Sequence, residues 1–149
     1  MSMVDVSEKP EIFREATATG TIKVKAKTTA MIKEGRIAKG DPIHTAKIAG
    51  ILAAKNTSNL IPLCHPLPLT NVEVKVEIEN STTIRVTAKV KTRASTGVEM
   101  EALTATSTAL LTIWDMVKQY EKDEKGQYPS TEIASVRVVK KIKKSQKKD

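Results

Sequence analysis

The chain has 149 residues, of which 40% are hydrophobic, and this length suits one globular domain with a substantial core. Lysine and arginine total 25 against 17 acidic residues, and the formal net charge is +8. Most of that excess is C-terminal, because residues 137–149 contain seven basic residues and one acidic residue. We therefore predict a single domain over residues 1–141 and a basic, disordered tail over residues 142–149.

The composition argues against disulfide-stabilised, zinc-stabilised and membrane-spanning folds. The only cysteine is Cys64, which leaves no partner for an intramolecular disulfide and fits a reducing compartment. A structural zinc ion normally has four cysteine or histidine ligands, and His44 and His65 are the only histidines, so we expect no metal site. No uncharged apolar run reaches the length of a membrane span, and the first residues lack the pattern of a signal peptide. We expect a soluble, cytoplasmic protein.

The first part of the chain predicts a strand followed by two helices. Residues 1–20 have little periodicity and are predicted to form an arm, whereas residues 21–25 alternate as a strand does. A short helix is predicted over residues 28–35. A longer helix is predicted from Asp41 to about Lys55, because aspartate is a favoured N-cap and the proline that follows it suits the first helical position.

The second part predicts a loop, a hairpin, a long helix and a last strand. Three prolines within residues 59–70 predict an extended, rigid loop. Residues 72–79 and 84–91 alternate between apolar and polar side chains, which predicts a β-hairpin with one solvent-facing side. Residues 97–122 predict a helix with a broad apolar stripe, and residues 133–140 predict the closing strand.

This order of elements is typical of the ferredoxin-like split βαβ pattern. We predict an α+β fold, ferredoxin-like, with an antiparallel four-stranded sheet and helices packed on one face. The long helix has threonines opposite its apolar stripe and no ionisable residue over positions 102–114. We therefore expect it to be covered on both sides, by its own sheet and by another chain.

Asp115 fits a purely structural role less well than other residues. It interrupts the apolar part of the long helix, with Trp114 and Met116 beside it, and is expected to be buried. Lys118 follows three residues later, where an intrahelical ion pair can form. The alternative is a desolvated acid–base pair whose members perturb each other's protonation, as in enzyme active sites.

Other candidate residues also have structural alternatives. Lys39 precedes a predicted helix N-terminus and is either a solvated loop lysine or part of an anion-binding site. His65 lies in the proline-rich loop and is either a structural histidine or an imidazole presented by a rigid site. Glu99 has capping-box spacing from Thr96, whereas Glu101 has no such structural role.

The spacing of Glu101 and Asp115 bears on how a site could use both. They lie on similar faces of the predicted helix but 14 positions apart, a separation of roughly 21 Å. One chain cannot bring both to a single reacting atom. A second copy of the helix, running antiparallel across a twofold axis, could do so. We hypothesise that any site using both residues is built between protomers.

Three long segments carry a resemblance to a known family. They are MVDVSEKPEIFREA, KGDPIHTAKIAGILAAKNTSNLIPLCHPLPLTNVEV and TGVEMEALTATSTALLTIWDMVKQYEKD, and the match runs from about Met3 to Lys141. These segments resemble the molybdenum cofactor biosynthesis protein C family, the cyclic pyranopterin monophosphate synthases. The strings IPLCHPL and TGVEMEALTA are far more specific than a short motif.

The resemblance implies a ferredoxin-like domain assembled as a hexamer, a trimer of dimers, with active sites at subunit interfaces. It implies an enzyme of molybdenum cofactor biosynthesis that converts a cyclised dihydro-GTP intermediate into cyclic pyranopterin monophosphate and releases pyrophosphate. The implied reaction is acid–base catalysis by a phosphorus–oxygen lyase that needs no metal and no cofactor. The implied partners are a small-molecule substrate and further copies of the chain, without a membrane or a specific nucleic acid.

The resemblance also implies roles for residues at matching motif positions. The implied acid–base set is Asp115, Lys118 and Lys39. Carboxylates suit the N–H edge of a guanine-derived ring, and basic side chains suit a triphosphate. The implied substrate-binding residues are Leu63, Cys64, His65, Glu99, Met100 and Glu101, with Arg14, Lys55 and Lys141 as phosphate contacts.

The basic tail and the fold also allow a non-catalytic nucleic-acid or nucleotide-binding ferredoxin-like module. RNA-recognition sheets stack bases on aromatic side chains of their strands, and residues 71–79 and 83–91 contain no aromatic residue. A small-molecule-sensing regulatory domain would share the fold but gives no reason for Asp115 and Lys118 in an apolar helix. We therefore prefer the enzyme interpretation.

Overall fold

The computed structural model describes residues 1–145, which form four strands and four helices. The strands make one antiparallel sheet in the spatial order β2-β3-β1-β4. This arrangement confirms the predicted α+β, ferredoxin-like fold. In chain order the elements are β1 (Ile12–Lys23), α1 (Ala26–Lys33), α2 (Pro42–Lys55), α3 (Thr57–Leu60), β2 (Leu69–Asn80), β3 (Thr83–Ala94), α4 (Glu99–Glu121) and β4 (Glu132–Lys144).

Strand β1 is longer than predicted. It begins at Ile12, so the arm expected over residues 1–20 is wrong for its second half. The apolar alternation was hard to recognise because the core-facing residues of β1 include Ala16, Ala18 and Gly20, which are small. A Cβ atom on Gly20 would lie 2.9 Å from Cδ1 of Leu110, so the small residues allow α4 to pack closely on the centre of the sheet.

Helix α2 forms as predicted and runs antiparallel to α4. The Asp41 side chain accepts hydrogen bonds from the backbone N–H groups of the second and third helical residues, and the helix continues to Lys55. At Gly50 the two helices approach so closely that a Cβ atom would lie 3.2 Å from the carbonyl oxygen of Ala105. The start of α2 therefore lies beside the C-terminal half of α4.

The predicted hairpin forms from β2 and β3. Val76 lies opposite Val86 in the pairing of the two strands. The side of the hairpin that faces away from the helices presents charged and polar residues. The apolar side faces the helices, and Ile84, Val86, Ala88 and Val90 are fully buried there. Burial of this side by α2 and α4 is the main source of the domain's stability.

Helix α4 spans nearly the length that was predicted, but its start differs. Val98 is the N-cap residue and makes no side-chain capping hydrogen bond, so the capping box predicted for Thr96 and Glu99 is wrong. Strand β4 continues to Lys144, beyond the domain boundary predicted at residue 141. Residues 146–149 of the predicted tail lie outside the described residues. Within residues 1–145, no helix has the length and hydrophobicity needed to cross a membrane.

Candidate active site

Three charged residues from two separate parts of the chain meet at the C-terminal half of α4. The ammonium nitrogen of Lys39, in the loop before α2, lies 3.0 Å from Oδ2 of Asp115 and 3.0 Å from the backbone oxygen of the same residue. The ammonium nitrogen of Lys118 lies 2.8 Å from Oδ1 of Asp115. We refer to these three residues as the lysine–aspartate cluster. They are the residues that the resemblance implies as the acid–base set.

The burial predicted for Asp115 is wrong. Its side chain is 58% exposed, because this part of α4 turns Met116 and Val117 towards the core and Asp115 outwards. The hydrogen bond from Lys118, followed by that from Lys39, lowers the pKa of Asp115 below its ordinary value. In return, the hydrogen bond and charge of Asp115 raise the pKa of Lys118. The cluster therefore holds an ionised carboxylate and a protonated Lys118 through pairing rather than desolvation.

A cavity of about 490 Å³ opens beside the lysine–aspartate cluster. The rings of Trp114 and Tyr128 lie 5.1 Å apart and form part of its wall. Tyr128 was not among the residues predicted for a site, because an aromatic residue in the loop between α4 and β4 has no periodic pattern to mark it. The cavity is lined by Leu111, Trp114, Asp115, Lys118, Tyr128 and Ile133.

A second group of candidate residues meets at the N-terminal end of α4, and we refer to Cys64, Glu99 and Glu101 as the glutamate–cysteine cluster. The Cys64 thiol donates to Oε1 of Glu101 over 3.8 Å, and Glu101 is only 3% exposed. Among the described residues, the other carboxyl oxygen of Glu101 has no hydrogen-bond partner. Burial raises the pKa of Glu101, and the charge of Glu99 adds to the shift, whereas the bond from Cys64 opposes it. Burial, followed by the charge of Glu101, raises the pKa of the Cys64 thiol.

Glu99 does not cap α4 but pairs with a strand residue. Its Oε1 lies 2.7 Å from Nζ of Lys141 on β4. Although burial opposes the shift, the hydrogen bond from Lys141 lowers the pKa of Glu99, and the charges of Lys141 and Arg14 contribute. Arg14 is 8% exposed and donates to the carbonyl oxygens of Ala94 and Ser95. Two of the three basic residues implied as phosphate contacts therefore lie around Glu99.

The proline-rich loop presents further candidate residues beside the same end of α4. A cavity of about 320 Å³ there is lined by Leu63, Cys64, His65, Glu99 and Met100, among others. Leu63 and Met100 are exposed. The Nε2 atom of His65 lies 2.8 Å from the backbone oxygen of Val4, so the N-terminal segment crosses over this loop.

Lys55 is exposed at the end of α2, and it makes no ion pair within the described part of the chain. Because α2 and α4 are antiparallel, the end of α2 lies towards the glutamate–cysteine cluster rather than towards Asp115. The structure thus divides the candidate residues between two ends of one helix. Glu101 and Asp115 are roughly 21 Å apart along α4.

The two clusters offer different chemistry. The lysine–aspartate cluster supplies ammonium groups that can donate protons or neutralise phosphate oxygens. The glutamate–cysteine cluster supplies carboxyl oxygens that can bind N–H groups. Among residues 1–145, no group of three or more histidine, cysteine, aspartate and glutamate side chains could hold a metal ion.

Comparison with known proteins finds a family model and relatives that match almost the whole chain. The model of the MoaC family matches residues 3–144. The chain is 60% identical, over 141 residues, to a probable cyclic pyranopterin monophosphate synthase of Sulfolobus acidocaldarius, a match that covers 95% of this chain and 98% of that protein. It is 54% identical over 143 residues to a probable cyclic pyranopterin monophosphate synthase of Pyrococcus furiosus, with 96% and 91% covered.

A third relative has a slightly different name. It is a probable cyclic pyranopterin monophosphate synthase accessory protein of Methanothermobacter thermautotrophicus, 53% identical over 143 residues, with 95% of this chain and 88% of that protein covered. These matches span almost the whole chain and confirm the resemblance found in its sequence. The chain belongs to the MoaC family.

Proposed function

We propose that the chain is a cyclic pyranopterin monophosphate synthase, an enzyme of molybdenum cofactor biosynthesis. It converts a cyclised dihydro-GTP intermediate into cyclic pyranopterin monophosphate and releases pyrophosphate, as a lyase of the phosphorus–oxygen type. The relatives from S. acidocaldarius and P. furiosus have the name of this activity. The observation that best supports the proposal is the lysine–aspartate cluster, in which Lys39 and Asp115 are hydrogen-bonded beside a cavity although 76 positions separate them.

The cluster has the properties of a proton-donating and charge-neutralising site. Lys118 is protonated at neutral pH, so it carries a proton that it can donate and does not serve as a general base. The pairing with Asp115 raises its pKa, which keeps the positive charge in place rather than making the proton easier to remove. Lys39 shares the same carboxylate, so two ammonium groups are held against one negative charge. The net positive charge that remains can stabilise phosphate oxygens as the cyclic phosphate forms and pyrophosphate leaves.

The glutamate–cysteine cluster provides recognition of the guanine-derived ring. The free oxygen of Glu101 is a buried polar atom that a ring N–H or carbonyl group could satisfy, depending on whether the carboxyl is ionised or protonated. The neighbouring cavity is lined by Leu63 and Met100, which offer apolar contacts, and by Cys64 and His65. Arg14, Lys55 and Lys141 are the proposed triphosphate contacts.

The distance between the clusters favours a site that is shared between subunits. A second copy of α4, running antiparallel, would bring the Glu101 end of one protomer to the Asp115 end of its partner. Ile48, Leu52 and Leu111 are exposed on the helical layer and would be covered by such a contact. We propose a homo-oligomer, a hexamer built as a trimer of dimers, that acts in the cytoplasm.

The test is turnover by the purified protein alone. The wild-type chain, supplied with the cyclised dihydro-GTP intermediate, is expected to release pyrophosphate and form cyclic pyranopterin monophosphate. Failure of the purified chain to turn over this compound would contradict the proposal. Turnover that requires a second protein would instead support the accessory role named for the M. thermautotrophicus relative.

A further inference from the structure

The loop that presents Lys39 is attached to α4 at a second point. Within this loop, the N–H of Gly40 donates to the carbonyl oxygen of Ile37 over 3.0 Å, so residues 37–40 form a tight turn. The N–H of Ala38, the second residue of the turn, donates to the hydroxyl oxygen of Tyr120 over 2.8 Å. Tyr120 lies on α4 and Lys39 is the next residue of the turn, so the hydroxyl holds the backbone immediately before Lys39.

The residues on both sides of Ala38 and Lys39 are also fixed. Ile37 is 6% exposed and belongs to the core, and Asp41 caps α2. Between them, Gly40 has a φ of 110°, a conformation that favours glycine. The Tyr120 hydrogen bond therefore restrains a turn whose flanks are already anchored, and it acts on the part that sets the direction of Lys39.

We infer that Tyr120 is a positioning residue, which holds the Lys39 turn so that the ammonium group meets Asp115. The role of Lys39 in turnover rests on the proposed function, whereas its position rests on the structure alone. Tyr120 reaches neither the cluster nor its cavity in the structure; it acts through the backbone of Ala38. Its ring also packs against the core, and this contact is separable from the hydroxyl.

The experiment uses Tyr120→Phe, which keeps the ring and removes the hydroxyl. The matched control is Thr29→Val, which removes a hydroxyl that donates to the carbonyl oxygen of Ser81 over 2.6 Å at the β2–β3 turn, away from both clusters. The first measurement is the rate at which acetic anhydride acetylates Lys39 in the folded protein, followed by mass spectrometry. A looser turn leaves Lys39 less often hydrogen-bonded to Asp115, so we expect its labelling to rise about 3- to 10-fold in Tyr120→Phe.

Labelling of Lys33, which lies on α1 outside the turn, should be the same in the wild type and both variants. The second measurement is steady-state turnover, in which Tyr120→Phe should lower kcat about 3- to 10-fold with little change in KM, and Thr29→Val should lower neither. Unchanged Lys39 labelling in Tyr120→Phe would overturn the inference, and so would an unchanged kcat in an active enzyme. A rise in Lys39 labelling in a protein that has no synthase activity would preserve the positioning role and refute the proposed function instead.

Discussion

Asp115 binds Lys39 through two acceptors at once, because both its Oδ2 atom and its backbone oxygen lie 3.0 Å from the ammonium nitrogen. A lysine held by two acceptors on one residue has a defined direction, even though its side chain is 44% exposed. Exposed ion pairs contribute little to folding stability. The arrangement therefore fits a site that orients charge for chemistry better than one that stabilises the fold.

Replacing Asp115 by asparagine should remove catalysis while leaving the fold intact. The variant keeps the shape of the side chain but loses the charge that holds both lysines, so we expect turnover to fall by about 100-fold or more. Steady-state kinetics and thermal melting would measure the two effects. The matched control is Glu79→Gln, which also removes an exposed carboxylate that is paired with a basic residue, in this case Arg85, but which lies on the hairpin. Full activity of Asp115→Asn would refute the catalytic assignment.

The stability of the protein should depend on pH through Glu101. Its pKa is raised in the folded state, chiefly by burial. Its contribution to stability is therefore fully present below the unfolded-state pKa and is lost as the pH rises through the folded-state pKa. Glu101→Gln stays neutral, so its melting temperature should exceed that of the wild type at pH 8, with the difference shrinking towards pH 4. A difference that grows as the pH falls would show that the carboxyl is ionised in the fold.

The Cys64 thiol should react with alkylating agents more slowly than an equally exposed cysteine with an ordinary pKa. Burial and the charge of Glu101 raise its pKa, so little of it is thiolate near neutral pH. Glu101→Gln removes the charge and should speed alkylation by iodoacetamide about threefold at pH 7.5. Glu99→Gln is the control, because Glu99 bonds Lys141 rather than the thiol. Equal rates in the wild type and Glu101→Gln would contradict the coupling between thiol and carboxyl.

Lys141 should contribute to substrate binding more than to turnover. Its ammonium nitrogen lies 2.7 Å from Oε1 of Glu99, and Glu99 lines the same cavity as Cys64. A triphosphate bound there could replace Glu99 as the partner of Lys141. We expect Lys141→Met to raise KM about tenfold with a smaller effect on kcat. Lys75→Met is the control, because Lys75 also pairs with a glutamate but lies on the opposite side of the sheet. Equal KM values for both variants would contradict the assignment of Lys141 to the substrate-binding site.

Glu121 should be important for stability rather than for catalysis. Its side chain is fully buried, and it accepts hydrogen bonds from the backbone N–H of Lys25 and the hydroxyls of Thr28 and Thr131. Glu121→Ala would leave these donors unpaired, and we expect the free energy of unfolding to fall by about 3 kcal/mol in urea denaturation. Glu124→Ala, at an exposed position of the next loop, should change it little. A loss below about 1 kcal/mol at Glu121 would show that water replaces the carboxylate.

Local patterns predicted the elements that depend on neighbouring residues. The cap at Asp41, the alternation of the hairpin and the apolar stripe of α4 each reflect an interaction within a few positions, so the sequence displays them directly. The first part of strand β1, before residue 21, was not recognised because its core-facing residues are small. They are small because α4, which is distant in sequence, packs closely on them. Local position marked Lys118 as a partner of Asp115 and Lys39 as a neighbour of a helix N-terminus. Their shared role in one acid–base set came only from the family resemblance, because no local pattern brings Lys39 to Asp115.

By itself, the sequence determined the fold class, the family and the set of charged residues available for chemistry. Only the tertiary structure decided which charges pair and which are exposed. Glu99 pairs with Lys141 instead of capping its helix, and Asp115 faces solvent instead of the core. Such outcomes depend on contacts between residues far apart in the chain, whose distances and desolvation no local pattern encodes. For the same reason, only the tertiary structure reveals the hydrogen bond between Tyr120 and Ala38, the residue before Lys39.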